Sequence, residues 1–393
     1  MRIISSVIDG ISTICGVALD MVFGDREFDY LFKQIKLENK DGHRPILRKV
    51  IEGSNYVAYL FTIPIGCSIE DFENNKMAIS QYLHEKDGDV NIELVNSQAL
   101  ITIKKENKNV SYKYEDYEFE DEMKIPLGIN LLTNRVVYWN FIEPNETHLI
   151  LGGTTGSGKS TMLRMMMCFI IDKLGNIVEL HLQDTKIVDL PDFKDTKSVL
   201  YYEEGTDGIY EELDSLIEEM NNRYRLIKES KARDIRGYNQ KNKNKKMKYK
   251  ILIIEELSSF SKDDSKDKEF FYPKLKEILT KGRAAGIQVI FTCQTPYNDV
   301  FPGHIKNNVN IKVGLACNTG EASKAICGDF DALTGLKGKG HAKLFSPVGV
   351  TEFQGFDISE ETIENVVNNN LKEKVSMGSN ISIGIKEGGN HYE

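Results

Sequence analysis

Residues 153–160 read Gly-Thr-Thr-Gly-Ser-Gly-Lys-Ser, which matches the spacing G-x-x-x-x-G-K-[ST] of a phosphate-binding loop. No other stretch constrains the fold as tightly, because such a loop works only between a strand and a helix. The apolar run His148-Leu149-Ile150-Leu151 precedes it, and the helical pattern Thr161-Met162-Leu163-Arg164-Met165-Met166-Met167 follows it. Glycines let the backbone curl so that its N–H groups face an anion. A helix beginning near Lys159 adds the positive end of its dipole. Gly153, Thr154, Thr155, Gly156, Ser157, Gly158, Lys159, Ser160 and Thr161 are therefore the expected nucleotide-binding residues. Lys159 is expected on the β/γ-phosphates and the Ser160 hydroxyl on Mg²⁺. The ligands implied are ATP and Mg²⁺.

Hydrolysis needs acid groups from a second strand, one to hold the metal and one to polarise the attacking water. Ile251-Leu252-Ile253-Ile254-Glu255-Glu256 supplies both. Four apolar residues in a row read as a strand buried on both faces, with two carboxylates emerging at its end. Glu256 is the expected general base and Glu255 the metal ligand. An Asp is more usual at the Glu255 position, and the extra methylene carries the carboxylate about 1.5 Å further out. A third apolar strand, Gln288 to Thr292, is followed closely by Gln294.

At 393 residues the chain has room for two or three domains. Its net charge of −9 argues against a protein that coats nucleic acid over its whole surface, and leaves room for a local basic channel. The densest basic run, Lys241 to Lys250, reads either as a solvated loop or as a set of phosphate contacts. Cys15, Cys67, Cys168, Cys293, Cys317 and Cys327 form no C-x-x-C pair, the pattern of reduced thiols in the cytoplasm rather than of a zinc site. Between Ile3 and Phe23 the polar or small residues Ser6, Asp9, Thr13, Gly16 and Asp20 recur at steps of 3 and 4. They draw one narrow stripe on an amphipathic helix, which wants a partner but does not span a membrane. That partner is its own domain, another subunit or a membrane surface. One Arg near the start and no A-x-A-like cleavage site argue against a signal peptide. The expected location is the cytoplasm, with peripheral membrane contact as the open alternative.

Along the chain, residues 1–24 are that helix. Residues 25–122 read as a small α+β domain. Its parts are a strand pair from Arg48 to Thr62 around Gly53-Ser54-Asn55, one helix from Ile69 to Glu85, a hairpin from Val90 to Lys104, and an acidic linker from Glu115 to Glu122. Residues 123–358 alternate strand and helix patterns. Strand candidates are His148–Leu151, Val178–Gln183, Lys250–Ile254, Gln288–Thr292 and Ile311–Ala316. The alternation predicts an α/β fold with a doubly wound, mostly parallel sheet. Residues 359–393 read as a polar, flexible tail holding one short helix pattern.

Several stretches, in order, resemble the motor domain of the FtsK/SpoIIIE family of double-stranded DNA translocases. They are Ile125-Pro126-Leu127-Gly128, the run from His148 to Ser160, Gln183-Asp184-Thr185-Lys186-Ile187-Val188-Asp189-Leu190, Glu219-Met220-Asn221-Asn222-Arg223-Tyr224 and Arg233 to Asn239. Gly282-Arg283-Ala284-Ala285-Gly286-Ile287, Thr292-Cys293-Gln294-Thr295-Pro296, Asn307-Asn308-Val309 and Gly335 with Gly338–Gly340 continue the series, which covers about residues 123 to 345. Thr185 replaces the family's Pro, Glu255 its Asp, and Thr295 the Arg that often follows the Gln. The resemblance implies a RecA-like P-loop NTPase whose ATP hydrolysis drives double-stranded DNA. It makes Gln294 a γ-phosphate sensor. It also implies a ring of subunits, six in number, with ATP at each interface and a neighbour's arginine completing the site. Arg223 and Arg283 are the candidates for that arginine. With no multi-pass membrane region and no winged-helix module for reading DNA polarity, the sequence looks like the FtsK-like ATPases of plasmids and integrative elements. Those couple DNA to a conjugation channel, so a relaxase and channel proteins join the implied partners. Two other readings stay open: a protein-secretion ATPase of related architecture, and a plasmid or phage DNA-binding ATPase that switches without translocating.

Overall fold

The computed structural model describes residues 25–52, 56–83, 90–104, 111–119, 123–260, 264–294 and 307–373. The amphipathic helix expected over 1–24, the turn at 53–55, Thr295 and the tail beyond residue 373 lie outside these.

A first hydrophobic core forms around α1 (Asp25–Gln34), which buries Phe28, Leu31 and Phe32 at i, i+3 and i+4. Phe28 meets Tyr59 and Phe61 with ring centroids 4.8 Å apart in both pairs. Those two residues belong to a four-stranded antiparallel sheet in the order β1-β2-β4-β3, with β1 Ile46–Glu52, β2 Tyr56–Thr62, β3 Val90–Val95 and β4 Gln98–Lys104. The β3–β4 hairpin turns on Asn96 and Ser97, both at positive φ (48° and 64°), the geometry that matches the twist of the strands. The helix expected from Ile69 to Glu85 is instead two, α2 (Ile69–Asn74) and α3 (Lys76–Tyr82). Asn75 breaks it by turning its side-chain amide back onto the Asp71 carbonyl, 2.8 Å away.

Among the described residues the second sheet has eleven strands. Six of them run parallel in the order β10-β9-β11-β12-β8-β13: β8 Leu149–Gly152, β9 Val178–Asp184, β10 Val199–Glu204, β11 Tyr249–Ile254, β12 Ile287–Cys293 and β13 Ile311–Leu315. All five expected strands are among them. Alternate residues serve two helical layers. Leu149, Leu151, Ile251 and Ile253 join α4 (Lys159–Lys173) on one face. Ile150, Leu252, Ile254 and Phe291 join α5 (Ile209–Glu229) and α7 (Tyr272–Ala285) on the other. A strand sandwiched between helices is apolar throughout, which is why Ile251 to Ile254 show no alternation.

Past β13 the sheet continues antiparallel through β14 (His341–Ser346), β15 (Gly349–Asp357), β6 (Ile125–Asn130) and β7 (Val136–Trp139). The described part of the stretch expected as an acidic linker from Glu115 to Glu122, residues 115–119, is docked on this wing together with residues 112–114. β5 (Tyr112–Lys113) pairs with the end of β15. Tyr117 and Phe119 pack on Phe356 with ring centroids 4.9 and 5.6 Å away. Aromatic rings interleaved with the acids supply the burial that an acidic count overlooks. Glu115 accepts from the Ser359 N–H (2.8 Å), the Ser359 hydroxyl (2.7 Å) and the Thr362 hydroxyl (2.6 Å). It thereby holds Ser359, whose hydroxyl caps α9 (Glu360–Asn369), a helix inside the stretch expected as a flexible tail. α9 buries Ile363, and Arg164 of α4 forks onto Glu360 at 2.6 and 2.8 Å. The Lys372 N–H then donates to the Asp195 carbonyl at 2.9 Å. Among the described residues no helix is long and apolar enough to cross a membrane, and Cys67, Cys168, Cys293, Cys317 and Cys327 are free thiols.

Candidate active site

β8 ends at Gly152 and α4 begins at Lys159, so residues 153–158 form the turn between them. Gly156 and Gly158 take φ values of +79° and +103°, open to glycine at little cost. A side chain at Gly158 would also place its Cβ 2.5 Å from the Gly340 nitrogen. Four hydrogen bonds pin the turn from behind. The Gly153 N–H donates to the Cys293 carbonyl at 3.2 Å, and Thr154 donates to the Ala316 carbonyl through its N–H (3.1 Å) and its hydroxyl (2.9 Å). The Gly340 N–H donates to the Ser157 carbonyl at 2.7 Å.

In front of the turn lies a cavity of about 660 Å³. Thr154, Thr155, Gly156, Gly158, Lys159, Ser160, Thr161 and Gln294 line it, as expected. Gly153 and Ser157 are not on its wall, and the buried Ser157 hydroxyl has no hydrogen-bond partner among the described residues. The first N–H groups of α4 have no partner within the helix, which suits the turn to an anion. Lys159 is 6% exposed. Burial and the nearby Lys186 ammonium lower its pKa, against the pull of Glu256, Cys293 and Glu255. An anion in the cavity relieves that unfavourable charge.

β11 delivers Glu255 and Glu256 to the same end of the sheet, two strands from β8, with β12 and Gln294 between. Neither Glu255 carboxylate oxygen has a hydrogen-bond donor among the described residues. Burial, with Asp184 and Asp189 close by, holds its pKa far above the usual carboxylate range. A buried acid without a donor, next to Asp184, suits a divalent cation, which Glu255 and Ser160 would hold. No group of three or more His, Cys, Asp or Glu side chains that could hold a metal ion occurs among the described residues.

Glu256 differs. It sits at φ +56°, a conformation costly for a non-glycine residue, and its N–H donates to the Thr292 hydroxyl at 3.0 Å. Its carboxylate accepts from Lys186 at 2.7 Å, from the Ser258 hydroxyl, and from the Gln294 N–H at 3.1 and 3.2 Å. Burial would raise its pKa, but Lys186 and Ser258 keep it below the ordinary value.

The two arginines fall elsewhere. Arg223 is buried, 4% exposed. It donates to Glu219 (2.8 Å) and to the carbonyls of Lys248 and Ala285 (2.9 Å each). A guanidinium tied inside its own subunit cannot reach a neighbour's nucleotide, so the expectation for Arg223 is corrected: it joins the end of α7 to the start of β11. Arg283 is exposed, in the last turn of α7 next to the start of β12. That is the end of the sheet opposite the phosphate-binding turn, so it cannot serve its own site. In the basic run, Lys241 donates to the Ser230 and Lys231 carbonyls, and Lys250 pairs with Glu179 at 3.1 Å. Lys243, Lys245 and Lys246 are exposed. Sequence reasoning gave no role to Lys186, although its place just past the end of β9 was the available signal. It also missed Ser258, and it named Gly338–Gly340 without giving them or Lys337 a place in the site, although they line the cavity.

Residues 113–300 match the FtsK/SpoIIIE family. The chain is 32% identical over 266 residues to the DNA translocase FtsK of Caldanaerobacter subterraneus subsp. tengcongensis, covering 66% of this chain and 36% of that one. It is 29% identical over 339 residues to the DNA translocase FtsK of Streptococcus pneumoniae, covering 80% and 43%. It thus spans less than half the length of these relatives. Among solved structures it shares its fold with the pCW3 conjugation coupling protein TcpA, determined as a monomer with ATPγS (TM-score 0.58, 20% identity, 88% of this chain and 99% of that one). It also resembles the cytoplasmic domain of the Thermomonospora curvata type VII secretion ATPase EccC (TM-score 0.55, 16% identity, 65% and 32%). With the phosphate-binding turn, the acid pair and the parallel sheet all in register, residues 113–300 belong to the FtsK/SpoIIIE family.

Proposed function

We propose that this chain is an ATP-driven double-stranded DNA translocase that works as a ring of copies, six in number, in the conjugative transfer of plasmid or integrative-element DNA. One observation carries the reading. The FtsK/SpoIIIE match covers the segment whose strand ends bring Lys159, Ser160, Glu255, Glu256 and Gln294 together. Lys159 and the turn's N–H groups neutralise the triphosphate, and Gln294 senses its last phosphate. Ser160 and Glu255 would hold Mg²⁺, which would supply positive charge to offset that of the phosphates. Glu256 orients the attacking water. The cation still missing from the transition state comes from Arg283 of the next subunit. TcpA, a conjugation coupling protein of the same fold, supports the conjugative setting, in which a relaxase and channel proteins are the partners. EccC shares the fold too, so dependence on duplex DNA separates translocation from protein secretion. The test is the ATPase rate with and without duplex DNA at about 50 and 200 mM salt. Strong stimulation at the lower salt and less at the higher supports the proposal. A rate indifferent to DNA at both refutes it.

A further inference from the structure

The segment after β9 takes no part in the roles assigned so far, yet its lysine sits on the candidate base. Lys186 Nζ donates to Glu256 Oε2 at 2.7 Å, from a side chain that is itself only partly exposed. With Ser258 and the Gln294 N–H also donating, both Glu256 oxygens are committed in this conformation. A carboxylate so engaged is a poor base.

The backbone holds Lys186 in place. Asp184 Oδ1 accepts the N–H groups of Lys186 (3.2 Å) and Ile187 (2.6 Å). The Thr185 hydroxyl donates to the Glu255 carbonyl at 2.6 Å. Ile187 is forced to φ +58°, a genuine outlier for a β-branched residue, and such strain persists only where the surroundings over-determine it. Lys186 also lies close enough to Lys159 for the two ammonium groups to disfavour each other, on top of burial. Two cations thus converge on one carboxylate beside a turn built for phosphates.

We propose that Lys186 is a positioning residue that exchanges partners. In this conformation it holds Glu256 inert, and it transfers to the terminal phosphate of a nucleoside triphosphate, releasing Glu256 to orient water. The proposal rests on the reading of the cavity as an ATP site. A diphosphate offers no terminal group to receive the lysine, so only a triphosphate drives the exchange. Because linkage is reciprocal, whatever loosens Lys186 from Glu256 must tighten triphosphate binding.

The test is equilibrium binding of fluorescent ATPγS and fluorescent ADP to the full chain and its variants. Lys186→Ala should weaken ATPγS about tenfold, the worth of one charge-assisted hydrogen bond, and leave ADP within about twofold. Lys186→Arg should keep most of the preference for triphosphate. Glu256→Gln should tighten ATPγS but not ADP, and that gain should vanish in the Lys186→Ala/Glu256→Gln double variant. Equal effects on both nucleotides, or a Glu256→Gln gain that survives without Lys186, would overturn the exchange while leaving the ATP site standing. Failure of the wild type to bind either nucleotide would overturn the site and the exchange with it.

Discussion

Arg223→Ala separates two jobs that one side chain cannot hold together. The guanidinium donates to two carbonyls, Lys248 and Ala285, at 2.9 Å each, and to Glu219 at 2.8 Å. Truncation leaves the buried Ala285 carbonyl and the half-buried Lys248 carbonyl without this donor, at about 1–3 kcal/mol each. The ion pair with the partly exposed Glu219 adds only about 0.3–0.5 kcal/mol. The expected loss is roughly 2–6 kcal/mol. A domain of this size loses about 2–4 °C of Tm per kcal/mol, so the melting temperature should fall by roughly 10 °C. The assay is thermal unfolding followed by circular dichroism, paired with turnover per folded molecule well below the transition. The expected result is a large drop in Tm with turnover largely kept at low temperature. A Tm within about 2 °C of wild type, together with lost turnover that returns on mixing with Lys159→Ala, would refute the structural role and restore Arg223 as the neighbour's finger.

Lys159→Ala should abolish hydrolysis, measured as phosphate release, because it removes the cation placed on the β/γ-phosphates. Glu256→Gln should bind ATPγS and release no phosphate, since the amide cannot polarise water; normal turnover there with a dead Glu255→Gln would reverse the two assignments. Arg283→Ala should lose turnover while keeping nucleotide affinity, and mixing it with Lys159→Ala should restore part of the rate through mixed interfaces. Wild-type specific activity should then rise with protein concentration. His148 is fully buried, and burial pushes its pKa down to about 4 although its ring contacts the Leu279 carbonyl. The unfolded chain binds that proton below about 6.5 and the fold does not. Stability should therefore fall by roughly 3 kcal/mol as pH drops from about 6.5 to 4, and an acid titration of Tm in His148→Gln should be flatter over that window.

The site was legible where its chemistry is local. The phosphate-binding motif is eight consecutive residues running from the end of a strand into the first turn of a helix, and Glu255 and Glu256 follow a run of four apolar residues. The parallel strands could be read because burial on both faces makes each a short apolar run. The antiparallel wing could not: β6 pairs with β15, more than two hundred residues away, and nothing near Ile125 announces that partner. Arg223 misled for a similar reason. Its i,i+4 partner Glu219 is visible in the sequence, whereas the Lys248 and Ala285 carbonyls that fix its role come from distant segments. The acids from Glu115 onward suggested a linker, because a charge count gives no weight to Tyr114, Tyr117 and Phe119 beside them. Asn75 split a helix whose apolar spacing alone read as continuous.

The central claim is that ATP hydrolysis moves this chain along duplex DNA. The most direct measurement is the displacement of a fluorescent third strand from a duplex, followed in real time. Release should need ATP, fail with Lys159→Ala and with ATPγS, weaken steeply with salt, and be the same for duplexes of unrelated sequence. A third strand that stays bound while the protein hydrolyses ATP on the same DNA would contradict it, leaving an ATPase that binds DNA and does not travel.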